Sequence, residues 1–176
     1  MMRTKPLLLV DTNVWVDYFL GRQYDVSDTV EFFTFVRTHD VSVVYPVHIL
    51  KDVFFFVQKE LKARARAEGR LDEAAVLSIR KLAWACVQTM RETAVAVAAD
   101  ESDVTMACTY REIIGDLEDD LVLAAAERVH PDILVTYDKQ LLRSAPVAIT
   151  LTPGDTIKAL QATRWGLRTT QEQTRP

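Results

Sequence analysis

The sequence predicts a three-layer α/β/α fold with a mostly parallel central sheet. Short apolar runs alternate along the chain with longer amphipathic stretches, which is the pattern of strands joined by crossover helices. The first strand, at residues 7–10, is a continuous apolar run, as expected for a strand buried on both faces. With 176 residues and 49% hydrophobic side chains, the chain can bury one full core. We therefore expect a single domain over residues 1–165 and a flexible tail over 166–176.

The other elements follow from periodicity and from residues that end or begin helices. A helix over residues 12–20 carries apolar side chains at helical spacing and ends at Gly21. Pro46 is predicted to begin the third helix and Gly69 to break it, so residues 59–92 would add a helical pair to the fold. The remaining predicted elements are helices at 27–38, 71–91, 102–113, 117–129 and 153–163, and strands at 41–45, 93–97, 133–136 and 147–150.

Bulk properties exclude several classes of function. The formal net charge of −4 argues against a protein that clamps nucleic acid through a basic surface. It does not exclude an enzyme acting on nucleic acid, because a cation bound among carboxylates reverses the local charge. The apolar runs fall short of the roughly eighteen residues of a membrane helix, and the first is too short for a signal peptide. We expect a cytoplasmic protein with no membrane partner.

Several familiar catalytic motifs are missing from the sequence. The two cysteines are not spaced as a zinc site or a disulfide framework, and the three histidines form no HExxH motif. The five glycines form neither a dinucleotide-binding GxGxxG motif nor a phosphate-binding GxxxxGKS/T motif. The chemistry of this chain is therefore expected to come from its acidic residues.

Four aspartates stand at positions that can converge. Asp11 and Asp138 each end an apolar strand, Asp119 lies in the first turn of a helix, and Asp52 borders the apolar stripe of the third helix. Functional groups gather beyond the carboxyl ends of strands in an open α/β sheet, so Asp11 and Asp138 are expected to lie side by side. Each residue alone also has a structural explanation, because Asp11 and Asp116 suit helix N-caps and Asp52 suits a solvated helix face.

Convergence of these carboxylates would favour a metal site. Unit charges about 4 Å apart repel by roughly 4 kcal/mol at an effective dielectric constant near 20, so clustered carboxylates are unfavourable unless they are protonated or bind cations. Hard oxygen ligands without a His or Cys pattern indicate Mg²⁺ or Mn²⁺ rather than Zn²⁺. Such ions activate water and stabilise the leaving oxygen in phosphodiester hydrolysis.

Four segments carry a family resemblance: LLVDTNVW at residues 8–15, PVHILKDV at 46–53, DLEDDL at 116–121 and DILVTYD at 132–138. Their order and spacing resemble those of the PIN-domain nucleases, a group that includes the VapC-type toxins of bacterial toxin/antitoxin pairs. The resemblance implies a Mg²⁺- or Mn²⁺-dependent endoribonuclease that hydrolyses RNA phosphodiester bonds. It also implies a protein antitoxin as partner.

The resemblance assigns roles to individual residues. Asp11, Asp119 and Asp138 match the family's metal-binding aspartates, while Asn13 and Thr136 match the polar residues that support them. The resemblance also gives a fourth catalytic position, Asp52, and a further supporting position, Asp116. Asp52 falls where the family usually has Glu, with a side chain one methylene shorter, and Asp116 is either a helix cap or a further site residue.

Basic and apolar residues suggest where partners bind. Lys59 and Lys62 belong to the densest basic stretch of the chain, and Lys139 directly follows the last acidic motif, so these three are candidate contacts to the RNA backbone. The apolar run at residues 54–57 is expected to pack in the core or at an interface, and a homodimer is one use for any exposed part of it.

Two other functions compete with RNA hydrolysis. An aspartyl-phosphate phosphatase or phosphotransferase also places its nucleophile at the end of a strand, but the haloacid dehalogenase type has a second Asp two residues later, where this chain has Asn13. A non-catalytic RNA-binding module with a PIN-like fold is the other alternative, because the Asp52 departure would weaken the site.

Overall fold

The computed structural model describes residues 5–21 and 26–162, and this part of the chain contains five strands and eight helices. In chain order they are β1 (Leu7–Val10), α1 (Thr12–Leu20), α2 (Val26–Thr38), β2 (Ser42–Pro46), α3 (Ile49–Ala67), α4 (Glu73–Thr93), β3 (Val95–Val97), α5 (Glu101–Tyr110), α6 (Leu117–Val129), β4 (Ile133–Val135), α7 (Lys139–Ser144), β5 (Ile149–Leu151) and α8 (Pro153–Ala162).

The five strands form one parallel sheet in the order β3-β2-β1-β4-β5. The first strand is central, and its Leu9 lies opposite Val44 on one side and Leu134 on the other. This arrangement confirms the predicted three-layer α/β/α fold with a parallel sheet. Because β1 and β4 are neighbours in register, with Val10 opposite Val135, the residues that follow both strands emerge together at one edge of the sheet.

The core is built around the central strand and the helix that follows it. Leu8 and Leu9 are fully buried, as the continuous apolar run predicted. Trp15 of α1 is also fully buried and packs against the ring of Phe33 on α2 and the ring of Tyr45 on β2, with centroid distances of 4.5 and 6.1 Å. These aromatic contacts anchor α1 directly behind the edge of the sheet where the chain leaves β1.

The predicted helical pair is present and is longer than residues 59–92. It consists of α3 and α4, which contact each other extensively, and it begins at Ile49. The connection contains Gly69 with a φ of 67°, and the Asp72 side chain caps α4 by accepting a 2.7 Å hydrogen bond from the Ala75 amide. No helix in the two described ranges is long and apolar enough to cross a membrane.

Three sequence predictions differ from the structure or fall outside it. Pro46 does not begin a helix: it is the last residue of β2, paired with Val97, because its missing amide hydrogen is tolerated at the end of a parallel ladder. The helix α7 was not predicted, since a six-residue element is too short to show periodicity. Residue 163, expected to end the last helix, and the tail expected over 166–176 lie outside the described residues.

Candidate metal centre

Asp11 is held at the junction between the central strand and α1. It is the N-cap of α1, and its Oδ1 accepts a 2.6 Å hydrogen bond from the Thr12 amide. Its own amide donates to the carbonyl of Val135 on β4 at 3.0 Å, so the strand pairing continues to the functional residue itself. Asp11 is only 2% exposed. A carboxylate in this position is fixed in orientation and largely removed from solvent.

Asn13 and Thr136 complete the surroundings of the Asp11 carboxylate. The Thr136 hydroxyl donates to Asp11 Oδ2 at 2.6 Å, and Asn13 Nδ2 donates to the same oxygen at 2.7 Å. The Asn13 side-chain oxygen in turn accepts from the Tyr137 amide at 2.9 Å, and the Asp138 amide donates to the Thr136 hydroxyl at 2.9 Å. The loops after β1 and β4 are therefore joined by one continuous hydrogen-bond network.

Asp138 and Asp116 are both helix N-caps at the same edge of the sheet. Asp138 Oδ1 accepts from the amides of Gln140 and Leu141 at 2.7 and 2.9 Å at the start of α7. Asp116 Oδ1 accepts from the amide of Glu118 at 2.9 Å at the start of α6. In each case the capping bonds occupy one carboxylate oxygen. The charge of Asp138 acts on Asp11, whereas the charge of Asp116 acts on Asp119 and Glu118.

Asp119 faces the other carboxylates from the first turn of α6. Burial, followed by the charges of Asp11, Asp138 and Asp116 in that order, raises the pKa of Asp119 to about 7. Burial also raises the pKa of Asp11 to about 6, against the lowering effect of its hydrogen bonds from Thr136 and Thr12. The charges of Asp11 and Asp138 act on Asp119, and the charge of Asp138 acts on Asp11, so these three carboxylates lie within electrostatic range of one another.

Glu118 is a member of this acidic group that the sequence analysis missed. Its charge raises the pKa of Asp11 more than the charge of Asp138 does. The pKa of Glu118 is itself raised, first by burial and then by the charges of Asp52 and Asp116. The signal available in the sequence was the run of three acidic residues at 118–120, which can place more than one side chain toward the edge of the sheet.

The neighbouring Asp120 does not belong to the group. At 100° per residue, Asp120 lies about 200° around α6 from Glu118, so these two side chains cannot face the same site. Asp120 is 3% exposed, and its raised pKa has burial and the charge of Asp116 as causes, with no contribution from Asp11 or Asp138. Of the two adjacent aspartates, only Asp119 faces the carboxylates at the strand ends.

Asp52 lies at the rim of the acidic group, on the first turn of α3. Its Oδ1 forms a 2.7 Å ion pair with Lys51 Nζ, and its side chain is 16% exposed. Its charge acts on Glu118, which connects α3 electrostatically to α6. Of the candidate substrate contacts, Lys59 and Lys62 lie further along α3, and Lys139 is exposed at the start of α7.

The donor chemistry of this group fits a hard divalent cation. The side chains that face one another are carboxylates, which are the preferred ligands of Mg²⁺ and Mn²⁺, and a cation would relieve the repulsion that raises their pKa values. Within residues 5–21 and 26–162, no three His, Cys, Asp or Glu side chains already form a closed metal cage. Asp11, Asp119 and Asp138 are the residues that would hold such an ion.

The fold and the acidic edge define a class of protein, a parallel α/β/α domain with a carboxylate site beyond its central strands. A family model for the PIN domain matches residues 8–140, so the chain belongs to the PIN domain family. The fold is similar to VapBC2 from Rickettsia felis, solved with a DNA fragment from their promoter, at TM-score 0.56 and 12% identity over 83% of this chain and 98% of that chain. It is also similar to a toxin-antitoxin complex from Klebsiella pneumoniae, at TM-score 0.52 and 16% identity over 83% and 97% of the two chains. No curated protein sequence matches the chain significantly.

Proposed function

We propose that this protein is a Mg²⁺- or Mn²⁺-dependent endoribonuclease. The proposal rests on the position of Asp11, Asp119 and Asp138 near the carboxyl edge of the sheet, where burial and then the charges of neighbouring carboxylates raise the pKa values of Asp11 and Asp119. Membership of the PIN domain family supports a nuclease in particular. Asp11, Asp119 and Asp138 would hold the ion, which when bound activates water and stabilises the leaving oxygen.

The other residues of the site prepare the carboxylates for this role. Asn13 and Thr136 hold Asp11 in one orientation, and their hydrogen bonds favour its charged form, which is the form that binds a cation. Glu118 and Asp52 add negative charge at the rim, and either would be able to orient a water molecule for attack on the phosphate. Burial of Asp11 keeps the group dry enough for these interactions to be strong.

Cleavage of single-stranded RNA by the purified protein tests the proposal. Wild-type protein should cut the RNA in Mn²⁺ or Mg²⁺ and stop when a chelator is added. Asp119→Asn should reduce the rate by at least about a hundredfold, because one ligand for the transition-state charge is lost. Asp120→Asn, one residue away and outside the acidic group, is the matched control and should retain activity. Undiminished cleavage in chelator or by Asp119→Asn would refute the proposed mechanism.

We infer further that the protein is the toxin of a toxin/antitoxin pair and binds a protein antitoxin. The support is the fold similarity to chains from two such complexes, which extends over 83% of this chain. Expression of the wild-type chain alone should then arrest bacterial growth, and co-expression of a small protein encoded next to it should restore growth. Asp119→Asn should be harmless at the same expression level. Equal toxicity of the wild-type and Asp119→Asn chains would show that the growth defect does not depend on the acidic group.

The geometry gives less support to the two competing functions. An aspartyl-phosphate enzyme of the haloacid dehalogenase type has a second Asp two residues after its nucleophile, whereas this chain has Asn13, whose side-chain amide donates to Asp11 Oδ2 at 2.7 Å. Trapping of a phosphate mimic on Asp11 would reverse this conclusion. A non-catalytic RNA-binding module would bind Mn²⁺ and RNA without turnover, and the cleavage assay distinguishes that outcome directly.

A further inference from the structure

The outer face of α3 carries a stripe of basic and aromatic residues that begins next to the acidic group. At 100° per residue, Asp52, Phe55, Lys59, Lys62 and Arg66 fall within an arc of about 80° on the helix. At 1.5 Å per residue, the stripe runs roughly 21 Å away from Asp52 at the edge of the sheet. A linear partner that entered the acidic group could therefore continue along this face of α3.

Beyond Asp52, the stripe lines a shallow groove of about 290 Å³. Its lining residues are Phe55, Gln58, Lys59, Lys62 and Arg66. Phe55 is 58% exposed, and Lys59 Nζ lies 6.0 Å from the centroid of its ring. The Lys62 ammonium donates to the Gln58 side-chain oxygen at 3.4 Å. An exposed aromatic ring in a groove lined by cations combines the two features with which proteins hold single-stranded nucleic acid, a stacking surface and a backbone contact.

No carboxylate in the described part of the chain neutralises the cations of the groove. Among the described residues, Lys59, Lys62 and Arg66 form no ion pair with a carboxylate, whereas Arg64 on another side of α3 pairs with Glu60 at 3.1 Å. The chain as a whole has a net charge of −4, so three unpaired cations in one groove are a local reversal of its charge. Such a surface attracts an anionic partner and releases counterions when the partner binds.

We propose that this groove binds the single-stranded RNA segment that leaves the acidic site, with phosphates on Lys59, Lys62 and Arg66 and one base stacked on Phe55. The inference rests on the proposed ribonuclease function and adds the position of the substrate. RNA is favoured over a protein partner because Phe55 is the only aromatic or aliphatic side chain among the described residues that line the groove, and because the stripe continues from the acidic group. A protein helix would need a longer apolar surface.

Binding of RNA without cleavage tests this proposal separately from catalysis. In the cleavage-deficient Asp119→Asn background, the Kd of a fluorescently labelled single-stranded RNA is measured at several salt concentrations. Phe55→Ala should weaken binding about five- to tenfold, and Phe55→Trp should restore it because a stacking surface is kept. Lys62→Ala and Arg66→Ala should each weaken binding and reduce the slope of log K against log salt by about 0.7. Lys81→Ala, an exposed cation on α4, is the matched control and should leave both values unchanged.

The outcomes separate the two proposals. If the wild-type protein cleaves RNA but Phe55→Ala and Arg66→Ala bind RNA as tightly as their parent, the groove proposal is wrong and the ribonuclease function stands. If Phe55→Ala changes the oligomeric state on gel filtration and leaves RNA affinity intact, the face is an interface between protein copies, and the RNA proposal is again overturned. A loss of affinity in Phe55→Ala that Phe55→Trp repairs, in protein of unchanged thermal stability, supports it.

Discussion

The Thr136 hydroxyl donates a 2.6 Å hydrogen bond to the Asp11 carboxylate, although 125 positions of sequence separate the two residues. The bond exists because β1 and β4 are parallel neighbours whose last residues, Val10 and Val135, lie opposite each other. The sheet topology thus places a hydroxyl donor beside a buried carboxylate without any loop having to bring them together. The chemistry of the site depends directly on the register of the central strands.

Removing the Thr136 hydroxyl should weaken metal binding with little effect on the shape of the core. Thr136→Val replaces the hydroxyl by a methyl group of similar size, so Asp11 loses a hydrogen bond that lowers its pKa and favours its charged form. The Kd for Mn²⁺, measured by calorimetry at pH 7, should rise about tenfold. Thr136→Ser keeps the donor and should stay close to wild type. Equal Mn²⁺ affinities for the Val and Ser variants would remove Thr136 from the metal site.

The two adjacent aspartates of α6 should respond differently to metal. Mn²⁺ that binds only the folded protein raises the melting temperature by mass action. Asp119→Asn should abolish most of that rise, because it removes a ligand that faces Asp11 and Asp138. Asp120→Asn should keep the full rise, whatever its effect on the stability of the metal-free protein. A thermal shift lost in Asp120→Asn and kept in Asp119→Asn would show that the helix face is assigned incorrectly.

The metal-free protein should become less stable as the pH rises from about 4 to 7. The folded-state pKa values of Asp11 and Asp119, about 6 and about 7, are above their ordinary value of 3.8, so the folded chain binds more protons than the unfolded chain across this range. The free energy of unfolding contributed by these groups is therefore fully present below pH 3.8 and is lost as the pH approaches 7.

Thermal unfolding in chelator between pH 5 and pH 8 measures this dependence. Asp119→Asn cannot ionise at that position, so its melting temperature should fall less steeply with pH than that of the wild type. Added Mn²⁺ should flatten the wild-type profile above pH 6 by stabilising the charged carboxylates. Parallel profiles for the wild-type and Asp119→Asn proteins would mean that Asp119 ionises as an ordinary solvent-exposed carboxylate.

Asp52 should act on turnover more than on substrate affinity. Its charge lies at the rim of the acidic group next to Glu118, and Lys51 compensates it at 2.7 Å. Asp52→Ala should lower kcat on single-stranded RNA by about tenfold with little change in KM, as expected for a group that contributes in the transition state. Asp52→Glu, which restores the carboxylate one methylene further out, should recover activity. A change confined to KM would assign Asp52 to RNA binding instead.

The positions of the central strands were predictable because strands buried in a parallel sheet are unbroken apolar runs. Residues 7–10 and 133–135 both have this pattern, and parallel strands end at one edge of the sheet, which is why Asp11 and Asp138 were expected to lie close together. The strand rule does not reach Asp119, which lies on α6 and was assigned to the site by the family resemblance. The PIN family resemblance, carried by four short segments, is confirmed by the match over residues 8–140.

Other features depend on contacts that the sequence does not display. Residues 118–120 are all acidic, so the sequence does not distinguish them. The way α6 packs against the sheet decides which of them interact with Asp11. The start of α3 was predicted too early because Pro46 has a strand partner, Val97, that lies far along the chain. Long-range packing and pairing decide such positions, and a local pattern cannot distinguish the alternatives.

Crystals grown with Mn²⁺ offer the most direct test of the claim that the acidic group is a metal centre. The anomalous difference map, recorded near the manganese absorption edge, should contain its strongest peak within coordination distance of the carboxylates of Asp11, Asp119 and Asp138. Crystals of Asp119→Asn grown in the same solution should lose most of that peak. A strongest peak elsewhere on the protein, or a peak of equal height in Asp119→Asn, would contradict the account.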